Sequence, residues 1–160
     1  RAWFCERVRE NSGGLYWLAK SILHNDEDVK DAVQEAVLTA YEKLDTLRDE
    51  NSFKPWIMRI LANTAYSMIR RSKPNTDIDS LAEEQPAPQN EDREESMALW
   101  QAVRGLGESL RTVTVLFYYD DMPIKDISRA LGITEGTVKA RLSRARAKLR
   151  IAMSEQEETL

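Results

Sequence analysis

PIKDISRALGITEGTVKARLSRARAKLR, residues 123–150, carries two helical apolar periods with a short break between them. Pro123 suits the first turn of a helix, where its missing N–H costs nothing, and Ile124, Ile127 and Leu131 then repeat on one face. Gly132 follows as a left-handed stop and Thr134 can cap the next helix, so a tight corner joins the two. In the second helix Val138, Leu142, Ala145 and Leu149 share a stripe. At about 100° per residue the opposite side is centred on Ala140, Ser143, Arg144 and Ala147, with Lys139, Arg146 and Arg150 on one edge and Arg141 and Lys148 on the other. This is a helix-turn-helix shaped for a major groove: small and bidentate-capable side chains at the centre can meet base edges, and flanking cations can meet phosphates. A merely solvated face mixes signs, whereas residues 134–150 hold six basic residues against the single acid Glu135.

With 160 residues and 42% hydrophobic content the chain has room for two small globular units. The net charge of -4 is unevenly spread: residues 1–74 carry 12 basic and 11 acidic groups, residues 75–98 carry 1 and 8, residues 99–150 carry 10 and 5, and residues 151–160 carry 0 and 3. A basic C-terminal unit is thus masked in the total by an acidic segment. Residues 74–95 hold Pro74, Pro86 and Pro88, most of those acids and almost no periodic apolar residue, which predicts a flexible, protease-sensitive linker. The expected organisation is all-α: one helical domain over residues 1–74, the linker over 75–95, a helix-turn-helix domain over 96–152 and an acidic tail over 153–160, with the two domains separately folded. RTVTVLFYY, residues 111–119, has strand propensity, but Leu110, Val113, Leu116 and Phe117 fit a helix and a lone strand would have no partner.

Cys5 and His24 are each the only residue of their kind, which excludes an internal disulfide framework and leaves no metal or cofactor site to expect. Without a glycine-rich phosphate loop either, no catalytic constellation can be assembled, and an enzyme is the weakest reading. No apolar run reaches about 18 residues and no signal-peptide pattern is present, so membrane insertion is not expected and the cytoplasm is the natural compartment. The start at Arg1 suggests that a short N-terminal piece is removed or not covered.

In the N-terminal unit the spacing predicts three helices. Residues 14–23 turn Leu15, Leu18, Ala19 and Ile22 inward; residues 29–47 bury Val33, Val37, Ala40, Leu44 and Leu47 and leave Asp31, Gln34, Glu35 and Leu38 on other faces. Residues 52–71 bury Ile57, Ile60, Leu61 and Met68 and line up Arg59, Asn63, Tyr66 and Arg70 on the exposed side. Cations, an amide and an aromatic ring in one stripe suit single-stranded or melting DNA, where phosphates need charge and bases need hydrogen bonds and stacking.

DVKDAVQEAVLTAYEKLDTLRDENSFKPWIMRILANTAYSMIRR, residues 28–71, resembles region 2 of the extracytoplasmic-function sigma factors of bacterial RNA polymerase, and the helix-turn-helix resembles their region 4. The anchors are Asp31, Gln34 and Glu35, then Phe53, Trp56, Arg59 and Asn63, then Gly136, Thr137, Val138, Arg141, Arg144, Ala145 and Arg146. The resemblance implies an alternative sigma factor that directs polymerase to promoters, recognises their -35 and -10 elements and assists melting. It implies that Asp31, Gln34, Glu35 and Leu38 bind the clamp helices of the largest core subunit, with a further contact to the flap of the second-largest. It also implies that Arg48, Asp49 and Ser52, with Phe53, capture a flipped base of the -10 element, beside which Arg59, Asn63, Tyr66 and Arg70 lie. Lys139, Ala140, Ser143 and Arg144 would read the -35 element while Thr137, Arg141 and Arg146 hold phosphates. An anti-sigma factor, often membrane-anchored, is the implied regulator. Gly107 stands where the family commonly has proline, Ser128 replaces a small alanine, and Ala140 removes a polar group from the reading face. The alternative is a helix-turn-helix regulator that works without polymerase and has no use for Asp31, Gln34 and Glu35.

Overall fold

A computed structural model describes residues 2–71 and 91–159. These form α1 (Ala2–Glu10), α2 (Ser12–Ile22), α3 (Asp26–Glu42), α4 (Phe53–Arg71), α5 (Glu91–Arg104), α6 (Glu108–Thr114), α7 (Ile124–Leu131) and α8 (Glu135–Thr159), with no strand among the described residues. Residues 111–119 are helical, α6 passing into one wide turn at Val115–Tyr119. The amide of Asp120 reaches back five residues to the Val115 carbonyl at 3.1 Å.

Local chemistry sets the ends. The Asn25 side chain accepts from the Asp28 amide at 2.8 Å, and Asp26, Glu27 and Asp28 place negative charge at the start of α3. α3 stops at Glu42 rather than at residue 47, because Leu44–Thr46 tightens into a 3-10 turn; a second such turn, Glu50–Ser52, leads into α4. Gly132 is left-handed at φ 72°, and the Thr134 hydroxyl accepts from the Thr137 amide at 3.1 Å, giving the corner of the helix-turn-helix both its stop and its cap.

Three further boundaries differ from the sequence expectation. α1 was not anticipated: a nine-residue stretch shows too little period on its own, and it is Phe4, buried against Tyr41 and Phe53, that pins it. α5 begins at Glu91, inside the expected linker, while most of that linker, residues 75–90, lies outside the described residues. α8 runs to Thr159, so the acidic tail continues the helix.

The two modules are packed together instead of standing apart. One buried cluster includes Leu18, Ile22, Met58, Leu61 and Ala62 of the first module and Val113, Leu116, Ile127 and Ala130 of the second. Trp17 of α2 meets Trp100 of α5 and Tyr119 with ring centroids at 5.3 and 4.9 Å. Beside them Arg111, 7% exposed, donates to the carbonyls of Ser21 at 2.7 Å and Leu106 at 2.8 Å, closing the C-terminal ends of α2 and the α5 segment at once. At Gly14 the side chains of the second module and of α4 crowd the backbone: a Cβ there would stand 2.6 Å from an Asp120 carboxylate oxygen and 2.9 Å from the Met58 methyl.

Candidate nucleic-acid interface

α8 keeps its apolar stripe inward, with Val138, Leu142 and Ala145 buried, and that rotation turns Lys139, Ala140, Ser143, Arg144 and Ala147 to solvent. Arg146 is exposed on the edge, where its Nη1 donates to the Tyr118 hydroxyl at 2.9 Å; Arg141 on the other edge is half-buried. Thr137 sits in the first turn, its hydroxyl 2.9 Å from that of Thr134.

On α4 the stripe Arg59, Asn63, Tyr66 and Arg70 is assembled as its spacing requires, but α7 and α6 lie against part of it. Arg59 and Asn63 are exposed by area, yet the Arg59 guanidinium rests 2.8 Å from the position a Gly132 Cβ would take and donates to the Arg129 carbonyl at 3.3 Å. Tyr66 is half-buried and donates to Glu108 Oε2 at 2.7 Å. Burial first, then that hydrogen bond, pushes the phenol's pKa well above its usual value, so the hydroxyl stays a donor. Ser52 accepts from Arg129 Nη2 at 2.7 Å, while Arg48 and Asp49 are exposed and Asp49 caps the turn by accepting from the Asn51 amide at 3.0 Å.

Phe53 corrects the sequence expectation. Its ring is 2% exposed and packs against Trp3, Phe4 and Trp56 with centroids at 5.6, 5.9 and 5.7 Å. A base cannot stack on a ring already enclosed by three others, so Phe53 supports the Arg48–Ser52 loop from beneath. Its neighbours Phe4 and Trp3 belong to α1, whose presence no signal around residue 53 could announce.

In the first module Asp31, Gln34, Glu35 and Leu38 share one face of α3 and all are exposed, Leu38 by 66%. Residues that sequence reasoning passed over are those that join the modules: Lys54, whose ammonium lies 3.0 Å from Asp120, together with Glu108, Arg111 and Arg129. Each looks like an ordinary surface charge until its partner, many residues away, is known. Among the described residues no group of three or more His, Cys, Asp or Glu side chains is placed to hold a metal ion, and no helix is long and apolar enough to cross a membrane.

Two helical modules, one with an exposed basic helix face and one with a cation-and-aromatic stripe, define a two-part helical protein with surfaces suited to nucleic acid. Residues 7–74 match Sigma-70 region 2 and residues 96–149 match Sigma-70, region 4. Among curated relatives, RNA polymerase sigma factor SigV of Bacillus subtilis is 28% identical over 150 residues, spanning 94% of this chain and 90% of that protein. ECF RNA polymerase sigma factor SigM of Mycobacterium tuberculosis is 30% identical over 151 residues, 91% of this chain and 74% of that protein. Among solved structures, the sigma factor RpoE in complex with the anti-sigma factor NepR from Bartonella quintana superposes with a TM-score of 0.78 at 24% identity, covering 96% of this chain and 98% of that one. CnrH in complex with the cytosolic domain of CnrY gives 0.70 at 24% identity over 95% and 88%. The chain belongs to the extracytoplasmic-function sigma factors, alternative sigma factors that direct RNA polymerase to promoters.

Proposed function

We propose that this factor docks on core polymerase through the α3 face of Asp31, Gln34, Glu35 and Leu38, against the clamp helices of the largest subunit, with the second module on the flap of the second-largest. Lys139, Ala140, Ser143 and Arg144 then face the -35 bases, with Thr137, Arg141 and Arg146 on phosphates. Arg48, Asp49, Ser52, Arg59, Asn63, Tyr66 and Arg70 face the -10 strand as it melts. The factor acts by binding and not by catalysis: holding an extruded base offsets an unstacking cost of a few kcal/mol and favours the open duplex. Its place of action is the cytoplasm, with the polymerase, and its regulator is an anti-sigma protein, including one anchored in the membrane. The observation that carries the reading is the α8 surface, where the small-residue centre Ala140, Ser143 and Ala147 is exposed and bordered by cations.

Reconstitution with core polymerase and run-off transcription on genomic fragments tests it. Discrete promoter-specific transcripts are expected. Specific duplex binding without any association with core would instead make the chain a polymerase-independent regulator.

A further inference from the structure

Tyr118 stands beside α8 without belonging to either helix of the α7–α8 corner. It sits in the wide turn Val115–Tyr119, where each neighbour is committed elsewhere: Val115 and Leu116 are buried, Phe117 packs on the core, and Tyr119 meets Trp17 and Trp100. Tyr118 is left facing outward at 47% exposure, its ring edge-to-face with Phe117 at a centroid distance of 4.9 Å. The phenol oxygen accepts from Arg146 Nη1 at 2.9 Å. Three residues before Tyr118 and one before Arg146, Val115 and Ala145 are buried in one cluster, so both side chains are rooted in packed backbone.

The acceptor's chemistry has a consequence for DNA. A carboxylate in its place would hold Arg146 and neutralise it, whereas a neutral phenol fixes the guanidinium and leaves its positive charge to an outside anion. Among the described residues no carboxylate pairs with Arg146, and the hydroxyl's own hydrogen has no acceptor. The guanidinium has several N–H donors and this contact uses one. An anion is thus offered a charged donor and a neutral one side by side, on the same edge of α8 as the exposed Lys139 and Arg150.

We propose that Tyr118 is a -35 phosphate contact that forms a pincer with Arg146: the phenol oxygen orients the guanidinium, and its O–H donates to the same phosphate. The pincer rests on the reading of Arg146 as a phosphate contact. It extends the DNA surface beyond α8 to the turn that precedes α7, and ordering both side chains before DNA arrives removes part of the cost of immobilising them. A phosphate contact carries no base preference, and a neutral hydroxyl releases no counterion.

The full chain, as wild type, Tyr118→Phe and Arg146→Ala, is titrated at several salt concentrations with cognate and scrambled -35 duplexes from a promoter found by run-off. Circular dichroism follows the fold of each. Tyr118→Phe keeps the ring and is expected to keep the wild-type helicity and melting temperature. It should weaken both duplexes alike by about tenfold, the scale of one hydrogen bond to a charged group, with the salt slope unchanged. Arg146→Ala should weaken both and lower the slope by about one. Wild-type affinity in Tyr118→Phe beside a lowered slope in Arg146→Ala overturns the pincer and leaves Arg146 on its phosphate. A loss in Tyr118→Phe confined to the cognate duplex also overturns it, because the tyrosine then reads bases. So does a lowered melting temperature, because the hydroxyl then serves the fold. An unchanged slope in Arg146→Ala removes the phosphate reading, and the pincer falls with it.

Discussion

Arg144 and Arg146 are two positions apart on α8, yet Arg144 faces outward at the centre of the proposed reading surface while Arg146 lies at its edge beside the Tyr118 hydroxyl. They should fail differently. Arg144→Ala is expected to cost about 1–3 kcal/mol on the cognate -35 site and flatten preference at one base position. Arg146→Ala should weaken all sequences alike and reduce the salt slope by about one unit, the loss of one phosphate contact. Titrations on cognate and scrambled duplexes at several salt concentrations separate the two; uniform loss in both variants would mean the reading face is misassigned. Phe53 makes the contrasting case of a residue for which the family resemblance implied DNA and whose position gives packing. Phe53→Ala should lower unfolding free energy by about 3–5 kcal/mol in denaturant titrations, as truncating a buried aromatic does. An unchanged stability would show the ring to be free of its three aromatic neighbours.

At the scale of elements, what could be read from the sequence is what neighbouring residues decide among themselves. The α7–α8 corner is such a case, because a positive-φ glycine and a hydroxyl cap act within a few residues, and the inward stripe of α8 follows from its period alone. The α4 stripe was legible for the same reason. α1 was not, since it depends on Phe4 meeting Tyr41 and Phe53 across the bundle; nor was the early end of α3, where a 3-10 turn takes over while the apolar period continues, nor the cover laid on α4, which needs α7 to arrive from some 70 residues away. The α3 face lies between these cases: periodicity shows that Asp31, Gln34, Glu35 and Leu38 are outward, but not what they meet. Replacing Gln34 and Glu35 together with alanine should move stability by less than about 0.5 kcal/mol and weaken core polymerase binding in a pull-down or fluorescence titration. Equal polymerase affinity would leave this face as ordinary wet helix surface.

For the whole molecule, the joined cluster of Met58, Leu61, Ile127 and Ala130, with Arg111 closing α2 from the other module, means that the separate halves of the sequence are not separate bodies in this state. No local pattern announces such docking, because each half has its own apolar periods and its own caps. Covalent connection then has a thermodynamic role of its own. A short tether holds two partners at an effective concentration of the order of mM. If closure is favoured only about tenfold over opening, the same surfaces on unconnected pieces would associate with a dissociation constant of about 0.1 mM. A protease site engineered between residues 72 and 90 should therefore turn the closed molecule into two pieces that part at low micromolar dilution. Size-exclusion chromatography of the cut protein reads this directly, and co-elution at that dilution would show a docking tighter than that constant. The number of residues joining the two modules would thus set how often they stand apart: shortening or lengthening that stretch changes the concentration at which one half of the molecule meets the other.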